Sequence, residues 1–138
     1  MTEEQYVEGY GKNIRKFVQV NFSGRVAHTE VVKAVQQSDF QLLIRDSNLK
    51  NNAGFPTKFV ESMSCCTPII ATLTSNIGDF LIDGKNGFVV SDNKPLTTIL
   101  DHISQMNSIE IIAMKEACRM FKEFDYRRYK NEFMEIFK

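Results

Sequence analysis

The sequence predicts an α/β fold in which helices flank a parallel β-sheet. Short apolar runs rich in Val, Ile and Phe alternate along the chain with segments that have the helical period. Buried runs of β-branched residues are typical of strands in a parallel sheet, because helices cover both faces of such a sheet. We therefore expect one domain over residues 1–138, with helices alone from about residue 95 onward.

The first third of the chain is predicted to alternate between helix and strand. In order, the predicted elements are an amphipathic helix from Thr2 to about Asn13, a strand over Ile14–Phe22, a helix to about Gln37 and a strand over Phe40–Arg45. The first strand ends at Ser23-Gly24, where glycine lets the chain turn without a steric penalty. His28 or Thr29 is the predicted cap of the next helix. Residues 46–53 are polar and are predicted to form a loop.

The middle of the chain predicts a short helix followed by a buried strand. The helix is expected from about Pro56 to Ser64, because proline is best tolerated in the first turn of a helix. Thr67-Pro68 then favours an extended entry into a strand over Ile69–Thr72. A loop with one helical turn near Ile77 is expected to follow.

The last part of the chain predicts one more strand and then helices. The turn signals Asp83-Gly84 and Asn86-Gly87 precede a short strand over Phe88–Val90. Beyond Pro95 the apolar residues recur with helical spacing. They predict three helices with apolar sides formed by Leu96, Ile99, Leu100, Ile103 and Met106, then by Ile109, Ile112, Ala113, Ala117, Met120, Phe121 and Phe124, and finally by Tyr129, Phe133, Ile136 and Phe137.

The start of the middle helix is a predicted anion site. The N–H groups of its first turn would point into the loop Gly54-Phe55-Pro56, where the positive end of the helix dipole also favours an anion such as phosphate. A helical wheel places Phe59, Val60, Met63 and Cys66 on one face, and Thr57, Lys58, Glu61 and Cys65 on the other. We therefore expect the helix to bury one side and to offer a hydroxyl, an ammonium and a carboxylate beside the loop.

The place of this helix in the fold also predicts a site. In parallel sheets, ligands bind beyond the carboxyl ends of the strands, where loops lead into helices. The loop from Asp46 to Pro56 leaves the strand predicted over Phe40–Arg45 and enters the middle helix. Arg45, at the end of that strand, is placed either to reach an anion or to brace the loop.

The composition excludes several classes of protein. With 43% hydrophobic residues the chain can bury a core. Its 17 basic and 17 acidic residues cancel, so no bulk field recruits nucleic acid or an anionic membrane. No apolar run is long enough to span a bilayer, and the start M-T-E-E-Q-Y is too acidic for a signal peptide. Three cysteines, two of them adjacent, favour a reduced, cytoplasmic setting.

One stretch of the sequence resembles a known enzyme family. The run G-F-P-T-K-F-V-E-S-M-S-C-C-T-P-I-I-A-T at 54–72, followed by D-G-K-N-G-F-V-V at 83–90, resembles the retaining glycosyltransferases of the GT-B fold, family four type, or glycosyl transferases group 1. The upstream order of strand, S-G-R-V, helix, S-D and strand also fits. The likeness covers nearly the whole chain but only the family's C-terminal, donor-binding half. It implies a Rossmann-like sheet in a truncated C-terminal half of a GT-B enzyme.

The resemblance implies roles for individual residues. Glu61 matches the glutamate whose carboxylate accepts hydrogen bonds from the ribose hydroxyls of a donor nucleotide. Main-chain groups of Gly54-Phe55-Pro56 would lie against the transferred sugar. Thr57 and Lys58 would bind the diphosphate at the helix start, and Arg45 is a further candidate for that contact. No metal or other cofactor would be required, because a helix terminus and basic residues can neutralise the leaving group.

The sequence departs from the family pattern in three respects. The pattern E-x7-E has Ala53 where a sugar-contacting glutamate is expected, with Asn51 and Asn52 as neighbouring substitutes. Cys66 stands where the helix usually ends in Gly, a change that we expect to concern packing. An additional strand and helix with an Arg and a Lys for the phosphates, and the acceptor-binding N-terminal half, are expected to be absent from this chain.

Two functions are consistent with these residues. In the first, the chain binds a nucleoside-diphosphate sugar for transfer to an unknown acceptor in polysaccharide or glycan biosynthesis. As an isolated fragment it would be inactive without an N-terminal acceptor domain, through which any peripheral membrane contact would also occur. In the second, it is a non-catalytic nucleotide-sugar-binding or interaction domain, which the residue Ala53 favours. No catalytic acid, base or nucleophile is predicted in either case.

Several of these residues also have purely structural interpretations. Glu61 on a short helix can be a solvated carboxylate, and Lys58 can simply pair with an acid. Cys65 and Cys66 are interpreted as small core residues, because the sequence shows no positively charged neighbour or catalytic histidine that would activate them.

Overall fold

The computed structural model describes residues 20–136 of the chain, and its contacts divide the chain into two units, Met1–Lys33 and Ala34–Lys138. In the first unit, residues 20–27 have no regular secondary structure, and helix α1 (His28–Gln37) begins directly after them. The Ala27 N–H donates to Glu30 Oε2 at 3.2 Å. The predicted caps His28 and Thr29 are therefore wrong, because both residues already belong to the helix.

Part of the predicted N-terminal structure lies outside the described residues. The helix predicted from Thr2 to Asn13 falls there entirely, as does the strand predicted over Ile14–Phe22 up to residue 19. Its last three residues, 20–22, are not in a strand. The single domain expected over residues 1–138 stays a prediction.

The second unit alternates strands and helices in chain order. Its elements are β1 (Gln41–Leu43), α2 (Leu49–Asn52), α3 (Thr57–Ser64), β2 (Ile69–Thr72), a 3-10 turn (Ile77–Asp79), β3 (Gly87–Val90), α4 (Leu96–Gln105), α5 (Ser108–Met120), a second 3-10 turn (Tyr126–Tyr129) and α6 (Lys130–Ile136).

Within the described residues, the strands form one parallel sheet in the order β1-β2-β3. The central strand β2 is in register with both neighbours, so that Ile70 lies opposite Leu42 on one side and Phe88 on the other. Helix α3 makes the crossover from β1 to β2. The predicted α/β class with a parallel sheet and flanking helices is confirmed.

The core lies on both faces of β2. Successive side chains of a strand point to opposite faces, so Ile69 and Ala71 enter one apolar cluster and Ile70 enters the other. The first cluster is completed by Phe59, Met63, Ile77, Leu81 and Cys118, and the second by Phe88, Ile99 and Met114. Burial on both faces explains why β2 is a continuous apolar run rather than an alternating one.

Helix α3 has a defined start and a defined end. Pro56 is the N-cap residue before the helix, with extended backbone angles (φ −73°, ψ 115°), so the helix begins one residue later than predicted. At the other end, Cys66 N–H donates to Met63 O and Thr67 N–H donates to Ser62 O, which together form a Schellman motif. Cys66 adopts the left-handed conformation (φ 58°) that this motif requires and that glycine adopts more easily.

The loop predicted over residues 46–53 contains a helix that the sequence analysis missed. Helix α2 is a single turn, and the side chain of Asn48 caps it by accepting a hydrogen bond from the Asn51 N–H at 2.9 Å. Asparagine is a favoured N-cap residue because its oxygen satisfies an N–H group of the first turn. The polar sequence L-K-N-N has no apolar period, so the pattern gave no helical signal.

Two further details differ from the prediction in the C-terminal half. Gly87 is the first residue of β3 rather than part of a turn, and a Cβ there would lie 2.0 Å from the Ile69 carbonyl oxygen. Helix α5 buries Met114 and Cys118, and Ile109 and Ile112 are 76% and 63% exposed. The helical period was predicted correctly, but tertiary packing selected a different side of α5.

Two buried threonines differ in their hydrogen bonding, so substitution by valine should affect stability differently at the two positions. The Thr67 hydroxyl donates to the Val35 carbonyl at 2.7 Å, whereas Thr74 Oγ1 is buried without a hydrogen-bond partner in residues 20–136. Thr67→Val should therefore lower the free energy of unfolding by about 0.5–1.5 kcal/mol, because it removes a buried hydrogen bond to the Val35 carbonyl, which keeps only the bond from the Ser38 N–H. Thr74→Val should leave that free energy unchanged or raise it, because it removes an unpaired polar atom.

Urea unfolding of the full chain followed by circular dichroism measures both effects, and each variant serves as the control for the other. A loss of stability in Thr74→Val as large as that in Thr67→Val would contradict the prediction.

Candidate functional site

The carboxyl ends of the three described strands open into one groove of about 650 Å³. Polar residues directly after the strands provide much of its lining. The lining consists of Arg45, Asp46, Ser47, Thr72, Leu73, Val89, Val90, Ser91, Asp92, Pro95 and Leu96. This is the edge at which the sequence predicted a site, and open parallel sheets commonly bind ligands there.

Arg45 lies two residues after β1 and is held at both its backbone and its side chain. Its N–H donates to Thr72 Oγ1 at 2.8 Å, and its carbonyl accepts from the same hydroxyl at 2.7 Å. Its guanidinium Nη2 donates to Asn51 Oδ1 at 2.8 Å. Arg45 therefore braces the loop and also lines the groove, and its contact with an anion stays a prediction.

The asparagines beside Ala53 connect the loops of this edge. Asn51 Nδ2 donates to the Asp46 carbonyl at 2.8 Å. Asn52 Nδ2 donates to Ser47 Oγ at 3.1 Å, and its Oδ1 accepts from the Ser75 N–H at 2.9 Å. These amides were the expected substitutes for the missing glutamate. Asn51 fixes the loop after β1, and Asn52 joins that loop to the loop after β2.

The loop Gly54-Phe55-Pro56 combines an anchored ring with an open backbone position. The ring of Phe55 packs edge-to-face against Phe59 and Phe80, with centroids 5.6 Å and 5.4 Å away. Pro56 is buried, whereas Gly54 is exposed and a Cβ added to it would meet no atom within 4 Å. Since the Phe55 ring is part of the core, it is the main chain of this loop that is available to a ligand.

The acid and the base predicted on α3 form an ion pair with each other. Lys58 Nζ lies 2.6 Å from Glu61 Oε2, and the side chains are 52% and 17% exposed. The structural interpretation of Lys58 as the partner of an acid is confirmed. Thr57 is exposed at the first position of the helix, where N–H groups have no intrahelical acceptor.

The structure brings the predicted residues to one edge of the sheet but not into one cavity. Arg45 is part of the groove lining, whereas the residues from Gly54 to Glu61 lie on the loop and helix that lead from β1 to β2. Thr72, Ser91 and Asp92 belong to the groove and were missed in the sequence. Their positions could have indicated them, because Thr72 ends the strand predicted over Ile69–Thr72 and Ser91 and Asp92 directly follow the strand predicted over Phe88–Val90.

An ion pair holds the turn that carries Ser91 and Asp92. Lys94 Nζ lies 2.7 Å from Asp83 Oδ2, and the Val89 N–H donates to Asp83 Oδ1 at 2.8 Å. Burial acts to raise the pKa of Asp83, but these two hydrogen bonds and the charge of Lys94 outweigh it and lower the pKa. The carboxylate is thereby kept charged, and it fixes the turn beside the groove.

The cysteines do not form a reactive or metal-binding centre. All three are thiols, and burial raises the pKa of Cys118 to about 12 and also raises that of Cys65. Thiols of this kind are poor nucleophiles, as the sequence predicted. Residues 20–136 contain no cluster of three or more His, Cys, Asp or Glu side chains that could hold a metal ion. Every helix described is too short or too polar to cross a bilayer.

Comparison with known proteins gives the family of the chain. Residues 3–127 match the family model of the glycosyl transferases group 1. An uncharacterized glycosyltransferase of Methanocaldococcus jannaschii is 31% identical over 90 residues, which are 61% of this chain and 24% of that protein. A second one from the same organism is 24% identical over 143 residues, or 95% of this chain and 36% of that protein. The chain thus spans about a quarter to a third of the length of these relatives. Because the family model covers most of the chain, the protein belongs to the glycosyl transferases group 1.

Proposed function

We propose that this chain is the donor-binding domain of a retaining GT-B glycosyltransferase of family four type, and that it binds a nucleoside-diphosphate sugar. The observation that carries the proposal is the open groove at the carboxyl ends of three parallel strands, in a chain of this family. Nucleotides bind at this edge of open α/β sheets because loops and helix N-termini converge there.

The diphosphate is proposed to bind between the start of α3 and Arg45. The first turn of α3 offers N–H groups and the positive end of a helix dipole. The Arg45 guanidinium has a fixed position in the groove lining and adds a charge. These groups can neutralise a leaving diphosphate without a metal ion, so we propose no metal or cofactor for this domain.

The ribose is proposed to bind Glu61. A carboxylate suits a vicinal diol because it offers two acceptor oxygens to two hydroxyl donors. In the structure Lys58 lies against Oε2 of this carboxylate, so it holds the side chain one turn inside α3. Lys58 would then act on the ribose site through Glu61, and the diphosphate contact would be made by the N–H groups of the helix start.

The transferred sugar is proposed to lie against the main chain at Gly54. Transfer of the sugar would also need an acceptor-binding domain, which a longer protein would supply. None of the described residues is assigned as a catalytic acid, base or nucleophile. The relatives that the chain matches are three to four times as long as the matched part.

A second candidate is a non-catalytic domain that binds nucleotide sugars. One observation favours it: Ala53 offers no carboxylate, and the amides of Asn51 and Asn52 already make hydrogen bonds within the loops. Incubation of the full-length protein with a radiolabelled nucleotide sugar separates the two candidates. Transfer or hydrolysis of the sugar supports the enzyme, and binding without turnover supports the second candidate.

The proposed ribose contact predicts a specific pattern of nucleotide affinity. Calorimetric titration of the full chain with UDP, GDP and ADP should identify a binding nucleotide. The 2′-deoxy form of that nucleotide should bind about ten- to a hundredfold more weakly, because a hydrogen bond to a charged group contributes about 1.5–3 kcal/mol. In Glu61→Ala the two forms should bind with equal, reduced affinity.

Thr57→Ala is the matched control, since it also changes an exposed residue of α3 but keeps both the carboxylate and the backbone N–H. It should still distinguish the ribose from the deoxyribose form. The ribose assignment fails if Glu61→Ala keeps the full preference of the wild type.

The open position at Gly54 gives a separate test of the sugar contact. Gly54→Ala should leave the stability unchanged or raise it slightly, because the added methyl has space and the unfolded chain loses entropy. It should nevertheless weaken binding of UDP-glucose or GDP-mannose more than binding of the free diphosphate, because the methyl would occupy the place of the sugar. Calorimetry measures both affinities.

Gly78→Ala serves as the control, since its Cβ would make only ordinary contacts, at 3.8 Å from Leu73. Equal affinities of Gly54→Ala and the wild type for the nucleotide sugar would contradict the contact.

A further inference from the structure

Arg45, which lines the groove, makes hydrogen bonds with two other residues, Thr72 and Asn51. Thr72 binds the backbone of Arg45, and Asn51 binds its guanidinium. We propose that Thr72 and Asn51 are positioning residues that hold the Arg45 guanidinium in place for the diphosphate of the donor. This inference rests on the proposed function and adds to it two residues that the sequence did not connect with phosphate binding.

The contact with Thr72 fixes the backbone of Arg45. The ladder between β1 and β2 ends with the pair Leu43 and Ala71, two residues before Arg45. Beyond that point the Thr72 hydroxyl replaces the backbone of a neighbouring strand, because it accepts from the Arg45 N–H and donates to the Arg45 carbonyl. The N–H and the carbonyl of Arg45 are thus both bonded to Thr72 Oγ1. This fixes the backbone of Arg45 and with it the direction in which the side chain leaves the backbone.

The contact with Asn51 fixes the guanidinium while leaving its charge intact. Asn51 is itself held, since its N–H donates to Asn48 Oδ1 and its Nδ2 donates to the Asp46 carbonyl. In the described part of the chain, Arg45 forms no ion pair within 4 Å. A neutral amide therefore orients the guanidinium without neutralising it, and a planar guanidinium is well suited to bind phosphate oxygens.

The charge of the groove makes Arg45 decisive for an anion. Among the described residues that line the groove, Arg45 is the cation, and Asp46 and Asp92 are acids. An anion in the groove is repelled by the two carboxylates unless it lies against the guanidinium. The position of Arg45 consequently determines both whether and where a diphosphate binds.

The test is a double-mutant cycle on nucleotide affinity in the full chain. The variants are Asn51→Ala, Thr72→Val and Arg45→Ala, with Thr72→Ser as the matched control that keeps the hydroxyl. The probes are UDP, GDP and ADP, measured by calorimetry, and the corresponding nucleosides, measured by NMR titration. Circular dichroism and urea unfolding identify any variant that is not folded.

We expect Asn51→Ala and Thr72→Val each to weaken diphosphate binding about tenfold, with nucleoside affinity unchanged and Thr72→Ser close to wild type. In the Arg45→Ala background, Asn51→Ala should have no further effect, because it acts through Arg45. A purely structural role of Asn51 would lower affinity in both backgrounds. If Thr72→Val does not fold, the cycle between Asn51 and Arg45 decides the result alone.

Two outcomes would overturn the inference, and only the first of them would also overturn the proposed function. If the wild type binds none of the three diphosphates, the proposed function fails together with the inference. If the wild type binds one of them, only the positioning role fails in either of two cases. In the first, the losses of diphosphate affinity in Asn51→Ala and Arg45→Ala add in the double variant. In the second, nucleoside affinity falls as much as diphosphate affinity.

Discussion

The structure depends on the burial of β2 between two neighbouring strands and two apolar layers. Ile69, Ile70 and Ala71 are almost fully buried, and each is paired with a residue of β1 and of β3. Because β2 is parallel to both neighbouring strands, the connections before and after it must cross a face of the sheet to return to the edge where the next strand begins. Helix α3 therefore starts at the carboxyl edge of the sheet, the same edge at which Arg45 and Thr72 emerge.

The chemistry of that edge follows from the same constraint. Backbone groups beyond the last ladder pair must find other partners, and the side chains of Thr72, Asn51 and Asn52 provide them. The residues that satisfy the ends of the strands are thus also the residues that shape the groove. An ion pair between Asp83 and Lys94 holds the β3 side in the same manner. A ligand that binds there meets the side chains of Arg45 and Thr72 already held by hydrogen bonds.

The sequence predicted the sheet, the central helix and the edge of the site, because these depend on apolar runs and on one proline. It did not predict α2, since a single polar turn capped by Asn48 has no periodic signal. Nor did it predict which side of α5 is buried. The pair Ile109 and Ile112 and the pair Met114 and Cys118 both have helical spacing, and only packing decides which pair is buried. Near the groove, family resemblance named Arg45 as a candidate but not Thr72, because the hydrogen bonds between these two residues join positions that are 27 residues apart in the chain. The left-handed Cys66 likewise becomes understandable only once the Schellman motif is seen.

The central claim is that a nucleoside diphosphate binds at the carboxyl edge of the sheet, against Arg45 and the start of α3. Backbone amide NMR of the full chain during titration with UDP, GDP and ADP tests it most directly. If the diphosphate binds there, the amide signals of Arg45, of Thr57 to Glu61 and of Ser91 should shift together and saturate at one affinity. Shifts centred instead on the separate groove lined by Ile82, Ala113 and Met120, or no shifts with any of the three nucleotides, would contradict it.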